Sequence, residues 1–261
     1  MDIRAVGQPI SASQRHSYSE TPDSDFYQTF QSAYATAAGR LAEAEAVAGE
    51  AGPSATQALE AILGRTHVEL AALRGVDSDT QARYARVLGE AYGSGAMDHA
   101  RQFLAGLSAE ALEAVRRNHA LADPINVGAI SEEGARNLLL PEGYSVDLNQ
   151  DGFDEVGAAR VIHFPPKAAP AAVREAWFQA TASMETGDVM TYGLMMHGAI
   201  YGLRIDDTAT TVPKKPDDID SYRQVVADFL AALEDQRGLL TPEQYARDRD
   251  FFTRLGALLN A

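Results

Sequence analysis

The stretch PEGYSVDLNQDGFDEVGAARVIHFPP, residues 141–166, breaks a helical pattern that runs through most of the chain. Residues 144–146 and 160–164 are rich in the β-branched and aromatic side chains that favour strands, and prolines bound the stretch on both sides. An acidic segment, DLNQDGFDE, lies between these two predicted strands. We therefore predict a mainly α-helical protein with one β-hairpin, and we expect the acidic segment to be the loop that connects the two strands.

Apolar residues recur at three- and four-residue steps on both sides of this stretch, which is typical of amphipathic helices. Residues 1–23 have no such period and are rich in polar residues and proline, so we expect a mobile tail. The predicted organisation is this tail, an N-terminal helical region (24–140), the β-hairpin with its loop (141–166) and a C-terminal helical region (167–261). The spacing predicts helices over about 26–51, 54–74, 79–92, 96–107, 109–121, 131–139, 173–184, 187–203, 219–233 and 242–259.

The composition places this chain of 261 residues among folded globular proteins, with 46% hydrophobic and 23% charged residues. The formal net charge of −15 argues against nucleic acid or an anionic lipid surface as the main partner and favours cations. Because cysteine is absent, disulfides, thiolate nucleophiles and thiolate zinc sites are excluded. The longest apolar run, residues 189–203, is shorter than a bilayer span and contains His197, so we expect a buried helix and no membrane span.

The acidic loop has the ligand spacing of a calcium site. Calcium takes about six to eight oxygen ligands, so a short loop binds it only by turning several side chains inward. In an EF-hand-type loop the side chains at positions 1, 3 and 5, the carbonyl at 7 and a group at 9 surround the ion, and Gly at 6 permits the turn. Here these positions are filled by Asp147, Asn149, Asp151, the Phe153 carbonyl and Glu155, with Gly152 at position 6.

This D-x-N-x-D-G-x-x-E pattern resembles the EF-hand-like calcium loops of dockerins and, more closely, those of the FG-GAP repeats of integrin-type β-propellers, in which the loop joins two strands. The resemblance covers only residues 147–155, so it implies a ligand, Ca²⁺, and neither a fold nor an activity. Position 12, a bidentate Glu in an EF-hand, is Ala158 here. Other residues or water must complete the shell, and we expect a Kd of roughly 10⁻⁴ to 10⁻³ M or somewhat tighter.

A second interpretation of the loop needs no metal, because Asn, Asp and Gly supply the backbone angles of an ordinary turn. A turn accounts for Asp151 and Gly152. It leaves the spacing of Asp147, Asn149 and Glu155 to chance, and we therefore favour the calcium site.

No other motif in the chain indicates a chemistry. The histidines have neither HxxxH nor HExxH spacing, and there is no GxSxG elbow, P-loop or GxGxxG sequence. His67 and His197 lie among apolar residues and are predicted to be core or boundary histidines. Pairs of scattered carboxylates, as glycosidases use, have no local signature, so an enzyme stays an alternative.

We therefore predict a calcium-binding helical protein with a binding or structural role, in which the ion rigidifies the hairpin loop. The ion would neutralise three clustered carboxylates, and binding to the native state alone stabilises it. One alternative is an enzyme with a structural calcium. The other is an exported structural or assembly protein, as in flagellar-type secretion, which the polar N-terminus and the lack of cysteine suggest. No Sec-type signal peptide is visible, so the cytoplasm is the default expectation.

Overall fold

The computed structural model describes residues 53–140, 143–202, 204–205, 208–209 and 212–261. These residues form ten α-helices and two short antiparallel strand pairs. The predicted mainly α class with a β-hairpin is therefore confirmed. The predicted tail (1–23) and the predicted helix over 26–51 lie outside the described residues.

The helices predicted within the described residues are present, with two differences in detail. The predicted helix over 54–74 is divided, because Gly64 has a φ of +85°, a value that an α-helix does not accommodate. Residues 96–107 form a 3₁₀ turn (Ala96–His99) followed by a short α-helix. The α-helices are α1 (Pro53–Leu63), α2 (Arg65–Leu73), α3 (Ser78–Gly93), α4 (Ala100–Ala105), α5 (Ala109–Asn118), α6 (Glu132–Asn137), α7 (Ala171–Thr181), α8 (Thr186–Tyr201), α9 (Ile219–Asp235) and α10 (Pro242–Leu259).

The described residues fall into two compact units, each with its own apolar core. The N-terminal unit contains the described part of residues 53–148 together with residues 154–161. The C-terminal unit contains residues 149–153 and the described part of residues 162–261. The acidic loop is thus divided between the units, since residues 149–153 are assigned to one unit and their neighbours on both sides to the other.

The core of the N-terminal unit is built from the apolar faces of its helices, and Leu88, Leu104 and Val115 are completely buried there. Each such side chain contributes about 1.5 to 3 kcal/mol through burial. Side chains that accept a hydrogen bond from the amide three residues on begin three of these helices. These N-caps are Asp77 for α3, Ser108 for α5 and Ser131 for α6.

His67, predicted as a core or boundary histidine, is buried in the N-terminal unit. Its Nε2 lies 3.0 Å from Asn118 Oδ1. The Asn118 amide nitrogen donates to the carbonyls of Ala114 and Thr80, so its oxygen faces His67 as an acceptor and His67 Nε2 donates. The prediction for this residue is confirmed.

The core of the C-terminal unit is rich in aromatic side chains, with Trp177, Tyr222 and Phe251 among the most buried. The Trp177 ring packs edge-on against Phe164 and Phe251, with centroid distances of 4.5 and 5.7 Å. Such aromatic pairs add about 0.5 to 1.5 kcal/mol each beyond the area that they bury.

Helices α9 and α10 pack against each other in antiparallel orientation. Arg223, near the start of α9, donates to the carbonyl of Leu259 at the end of α10, at 2.8 and 2.9 Å. The Tyr245 hydroxyl, near the start of α10, donates to the Glu234 carboxylate near the end of α9 at 2.6 Å. At α10 the N-cap Thr241 accepts from the Gln244 amide at 3.2 Å, and a proline occupies the first helical position.

The β-hairpin lies later in the chain than the sequence predicted. Its strands are β1 (Asp154–Val156) and β2 (Ala159–Val161), and Val156 pairs with Ala159 across a two-residue turn. Gly157, the first residue of this turn, has a φ of +61°, a value that hairpin turns of this length require and that glycine supplies. Residues 147–153 of the acidic segment therefore precede β1, and its last two residues, Asp154 and Glu155, lie in β1. The prediction that the acidic segment connects the two strands is wrong.

In the predicted first strand, residues 144–146, the backbone of Val146 bonds to a side chain instead. The Asn137 side chain on α6 accepts from the Val146 amide at 2.7 Å and donates to the Val146 carbonyl at 2.9 Å. These two bonds replace the pair that a neighbouring strand would supply. A second short pair, β3 (Arg204–Ile205) with β4 (Thr208–Ala209), was not predicted.

Candidate cation loop

Residues 149–153 form a curled segment held by its own side chains. The Asp151 amide donates to Asn149 Oδ1 and the Phe153 amide donates to Asp151 Oδ1, both at 2.9 Å. Gln150 and Gly152 have positive φ values of 57° and 83°. Two successive Asx turns of this kind place the side chains at positions 3 and 5 of the predicted calcium loop within one tight turn.

Helix α8 contacts this curled segment at Gly152. His197 Nε2 lies 2.9 Å from the Gly152 carbonyl oxygen, and because a carbonyl only accepts, this nitrogen carries the proton. A side chain at Gly152 would also collide with the Tyr201 ring, since an added Cβ would lie 2.4 Å from Cε2. Glycine at position 6 is therefore required by this close approach as well as by its positive φ.

The His197 ring is buried and lies between two aromatic side chains. It stacks on Tyr201 with a centroid distance of 4.8 Å and meets Phe153 edge-on at 5.0 Å. Burial lowers the pKa of His197, while the hydrogen bond to Gly152 and the charge of Asp151 oppose this change. His197 is thus a core histidine, as predicted, and it is also the side chain through which α8 holds the loop.

In the N-terminal unit, Glu133 on α6 organises the backbone on both sides of the curled segment. Its carboxylate is buried and accepts from the Leu148 amide at 2.7 Å and from the Glu155 amide at 2.9 Å. Asn137, one turn further along α6, donates to the Glu155 carbonyl at 2.7 Å. The two bonds to the Glu133 carboxylate are charge-assisted, and together with the Asn137 bond they fix the chain at positions 2 and 9 of the predicted loop.

Glycine-to-glycine contact lets α6 approach the hairpin turn. The Gly157 amide donates to the Gly134 carbonyl at 2.9 Å, and a Cβ added at Gly134 would lie 2.2 Å from the Gly157 carbonyl oxygen. Any side chain at Gly134 would force the turn away from the helix. Because Gly134 has no side chain, α6 lies close enough to this segment for Glu133 and Asn137 to bond to its backbone.

The five predicted ligands are divided between the two units. Asn149, Asp151 and Phe153 belong to the curled segment, whereas Asp147 and Glu155 are assigned to the N-terminal unit. The Glu155 carboxylate accepts a hydrogen bond from the hydroxyl of Ser131, the N-cap of α6. Among the residues that the structure describes, no group of three or more His, Asp or Glu side chains is arranged to hold a metal ion. Calcium binding therefore stays a prediction.

Sequence reasoning missed Glu133 and Asn137, although a signal for them exists. They are four residues apart on the predicted helix over 131–139, so they share one face, and that face also carries the apolar residues of the core. Polar residues on a buried helical face need hydrogen-bond partners, which indicates that another backbone segment lies against them.

A stripe of uncharged residues is exposed on α8. Met190 is 70% exposed, Leu194 56% and Met195 38%, whereas Met196 and His197 of the same helix are buried. A contiguous exposed apolar patch is typical of a surface that binds another molecule, and Met190 and Leu194 lie one turn apart on this helix.

Comparison of the chain with protein-family models, with curated proteins and with solved structures finds no match. Within the described ranges, no helix combines the length and the apolar character that crossing a bilayer requires.

Proposed function

We propose that this chain is a calcium-binding, mainly helical protein with a binding or structural role, and that the ion rigidifies the acidic loop over residues 147–155. One observation carries the proposal: the ligand spacing of the sequence coincides with a backbone that turns at the position where a calcium loop must turn. Gly152, at position 6, has the positive φ that this turn needs.

The two Asx turns add to this support. Each uses a side-chain oxygen of Asn149 or Asp151 to fix the backbone two residues further on. A carboxylate or an amide oxygen has further lone pairs, so a residue that closes an Asx turn is still able to ligate a cation. Calcium, a hard cation, favours such oxygens over the histidine nitrogen nearby.

The ligand set argues for a weak site. The loop offers Asp147, Asn149, Asp151, the Phe153 carbonyl and Glu155, which is fewer than the usual six to eight ligands, so other residues or water must supply the remainder. The Glu155 carboxylate must also share or exchange its hydrogen bond with Ser131 when the ion binds. A Kd of roughly 10⁻⁴ to 10⁻³ M is expected for such a site.

The exposed stripe of α8 supports the binding role. Met190, Leu194 and Met195 present flexible, polarisable or apolar side chains to solvent in a protein whose net charge is strongly negative. Methionine adapts its shape to different apolar partners, which suits a protein-binding surface.

Calorimetric titration with calcium tests the proposal on three forms of the full chain. The unmodified protein should bind one ion. Asp151→Asn retains an oxygen that accepts from the Phe153 amide but removes the charge, so its Kd should rise about tenfold or more. Asp250→Asn is the matched control, because it removes one exposed carboxylate from α10 and should leave the Kd unchanged. No binding by the unmodified protein at millimolar calcium, or equal Kd values for the Asp151 variant and the unmodified chain, would contradict the proposal.

A further inference from the structure

The peptide group between Gly152 and Phe153 is held at both ends. Its carbonyl accepts from His197 Nε2 at 2.9 Å, and its amide donates to Asp151 Oδ1 at 2.9 Å. The plane of this peptide therefore has a fixed orientation, because rotation in either direction breaks one of the two bonds.

His197 is itself fixed by its surroundings. It is buried, it stacks on Tyr201, and it packs edge-on against Phe153. Tyr201 in turn contacts Gly152 so closely that no side chain fits there. These contacts leave the His197 donor a single direction, toward the Gly152 carbonyl.

We propose that His197 is the positioning residue of the acidic loop: by holding the Gly152 carbonyl it orients both the Asp151 carboxylate and the Phe153 carbonyl. The assignment of those two groups as calcium ligands rests on the proposed function. The positioning itself does not, because it acts on the loop without an ion. His197 is not a ligand in this account, since its protonated nitrogen faces the carbonyl.

The test uses the full chain and three variants. His197→Phe keeps an aromatic ring between Tyr201 and Phe153 but has no donor. His197→Gln lacks the ring but has an amide donor that reaches in the same direction. Tyr192→Phe is the matched control, because it also removes one hydrogen bond from α8, the bond to Asp248, and leaves the loop untouched.

Two readouts separate positioning from a general structural role. In chelator, hydrogen exchange at the Phe153 amide should be about tenfold faster in His197→Phe, close to the unmodified rate in His197→Gln, and unchanged in Tyr192→Phe. The Kd for calcium should rise about fivefold to tenfold in His197→Phe alone. If His197→Phe does not fold, His197→Met, which also lacks a donor, replaces it.

The possible outcomes lead to distinct conclusions. Equal Phe153 exchange in His197→Phe and in the unmodified chain, or an equal increase in Tyr192→Phe, overturns the positioning role. Absence of calcium binding by the unmodified chain overturns the proposed function alone, because the exchange measurement contains no ion. Faster exchange with restoration by glutamine establishes the positioning role in either case.

Discussion

Two regions of this molecule satisfy their backbone groups in different ways. In the α9 and α10 pair, amides bond within each helix, and the apolar faces of two helices that are neighbours in sequence meet. In residues 143–161, backbone groups bond to the side chains of Glu133 and Asn137 on α6. The first arrangement follows from local spacing alone. The second depends on which distant residues come close, and a local pattern does not contain that information.

The largest effect is expected in the helix pair, where packing dominates. Phe252 is buried and stacks on Phe229 with a centroid distance of 4.7 Å. Phe252→Ala should therefore lower the free energy of unfolding by about 3 to 5 kcal/mol, measured by chemical denaturation. Leu239→Ala is the control, because Leu239 is 86% exposed and should change the free energy by less than about 0.5 kcal/mol. A loss below about 1 kcal/mol for Phe252→Ala would mean that this pair is not the packed core of its unit.

The next largest loss of stability is expected where backbone groups bond to the side chains of α6. Glu133→Ala removes the acceptor of two backbone amides, those of Leu148 and Glu155, and should cost about 2 to 4 kcal/mol. Hydrogen exchange at these two amides should become faster than at the amides of α10. Glu132→Ala is the neighbouring control, since that carboxylate accepts a long bond of 3.3 Å from the Arg101 amide, and it should cost less than about 1 kcal/mol. Similar losses for the two variants would remove the distinction between the regions.

This contrast explains what the sequence could predict about the fold. The period of the apolar residues predicts α10 from neighbouring residues only, and this prediction is confirmed. The N-cap Thr241 is local as well, since it accepts from the Gln244 amide three residues on. The strand-like composition of residues 144–146 is real, yet Asn137 occupies the bonds that a partner strand would use. The hairpin turns at Gly157, which has a positive φ. The prediction placed the turn in the acidic segment upstream because that segment is rich in Asn, Asp and Gly.

A smaller effect on the stability of the C-terminal unit is expected at high pH, where Tyr192 ionises. Burial, with help from the hydrogen bond to Asp248, raises the pKa of Tyr192 from 10.0 to about 12. Below pH 10 the tyrosine is neutral in both states. Between pH 10 and 12 the unfolded chain loses this proton and the folded chain keeps it, so stability falls as pH rises, by up to about 1.4 kcal/mol per pH unit.

Denaturation curves over this range test the assignment. Tyr192→Phe lacks the titrating group, so its stability should fall less steeply between pH 10 and 12 than that of the unmodified chain. The difference in slope should correspond to one proton at most. Parallel curves for the two proteins would show that Tyr192 ionises in the folded state at its ordinary pKa.

The smallest effect is expected at the N-cap of α10. Thr241 accepts from the Gln244 amide and begins α10, so Thr241→Ala should cost about 1 kcal/mol. Thr253→Ala, on the exposed face of the same helix, is the matched control and should stay within about 0.5 kcal/mol. Equal effects at the two threonines would mean that the cap does not define the start of this helix.

The candidate site follows the same division as the fold. The spacing of oxygen-bearing residues in DLNQDGFDE is a local pattern, and the Asx turns at Asn149 and Asp151 are local as well. The hydrogen bond from His197 to Gly152 joins residues far apart in the chain, so no loop motif contains it. The hydrogen bond from Ser131 to Glu155 is also unpredictable from spacing, and an ion at the Glu155 carboxylate would have to compete with it.

Thermal unfolding of the full chain in about 10 mM calcium and in chelator tests calcium binding most directly. With a Kd of roughly 10⁻⁴ to 10⁻³ M, the ion should stabilise the native state by about 1.4 to 2.7 kcal/mol and raise the Tm by several degrees. The increase should grow with calcium concentration and vanish in Asp151→Ala, because that change removes a charged ligand. Identical melting curves in calcium and in chelator would contradict the account and leave residues 147–155 as an acidic turn held by Glu133 and His197.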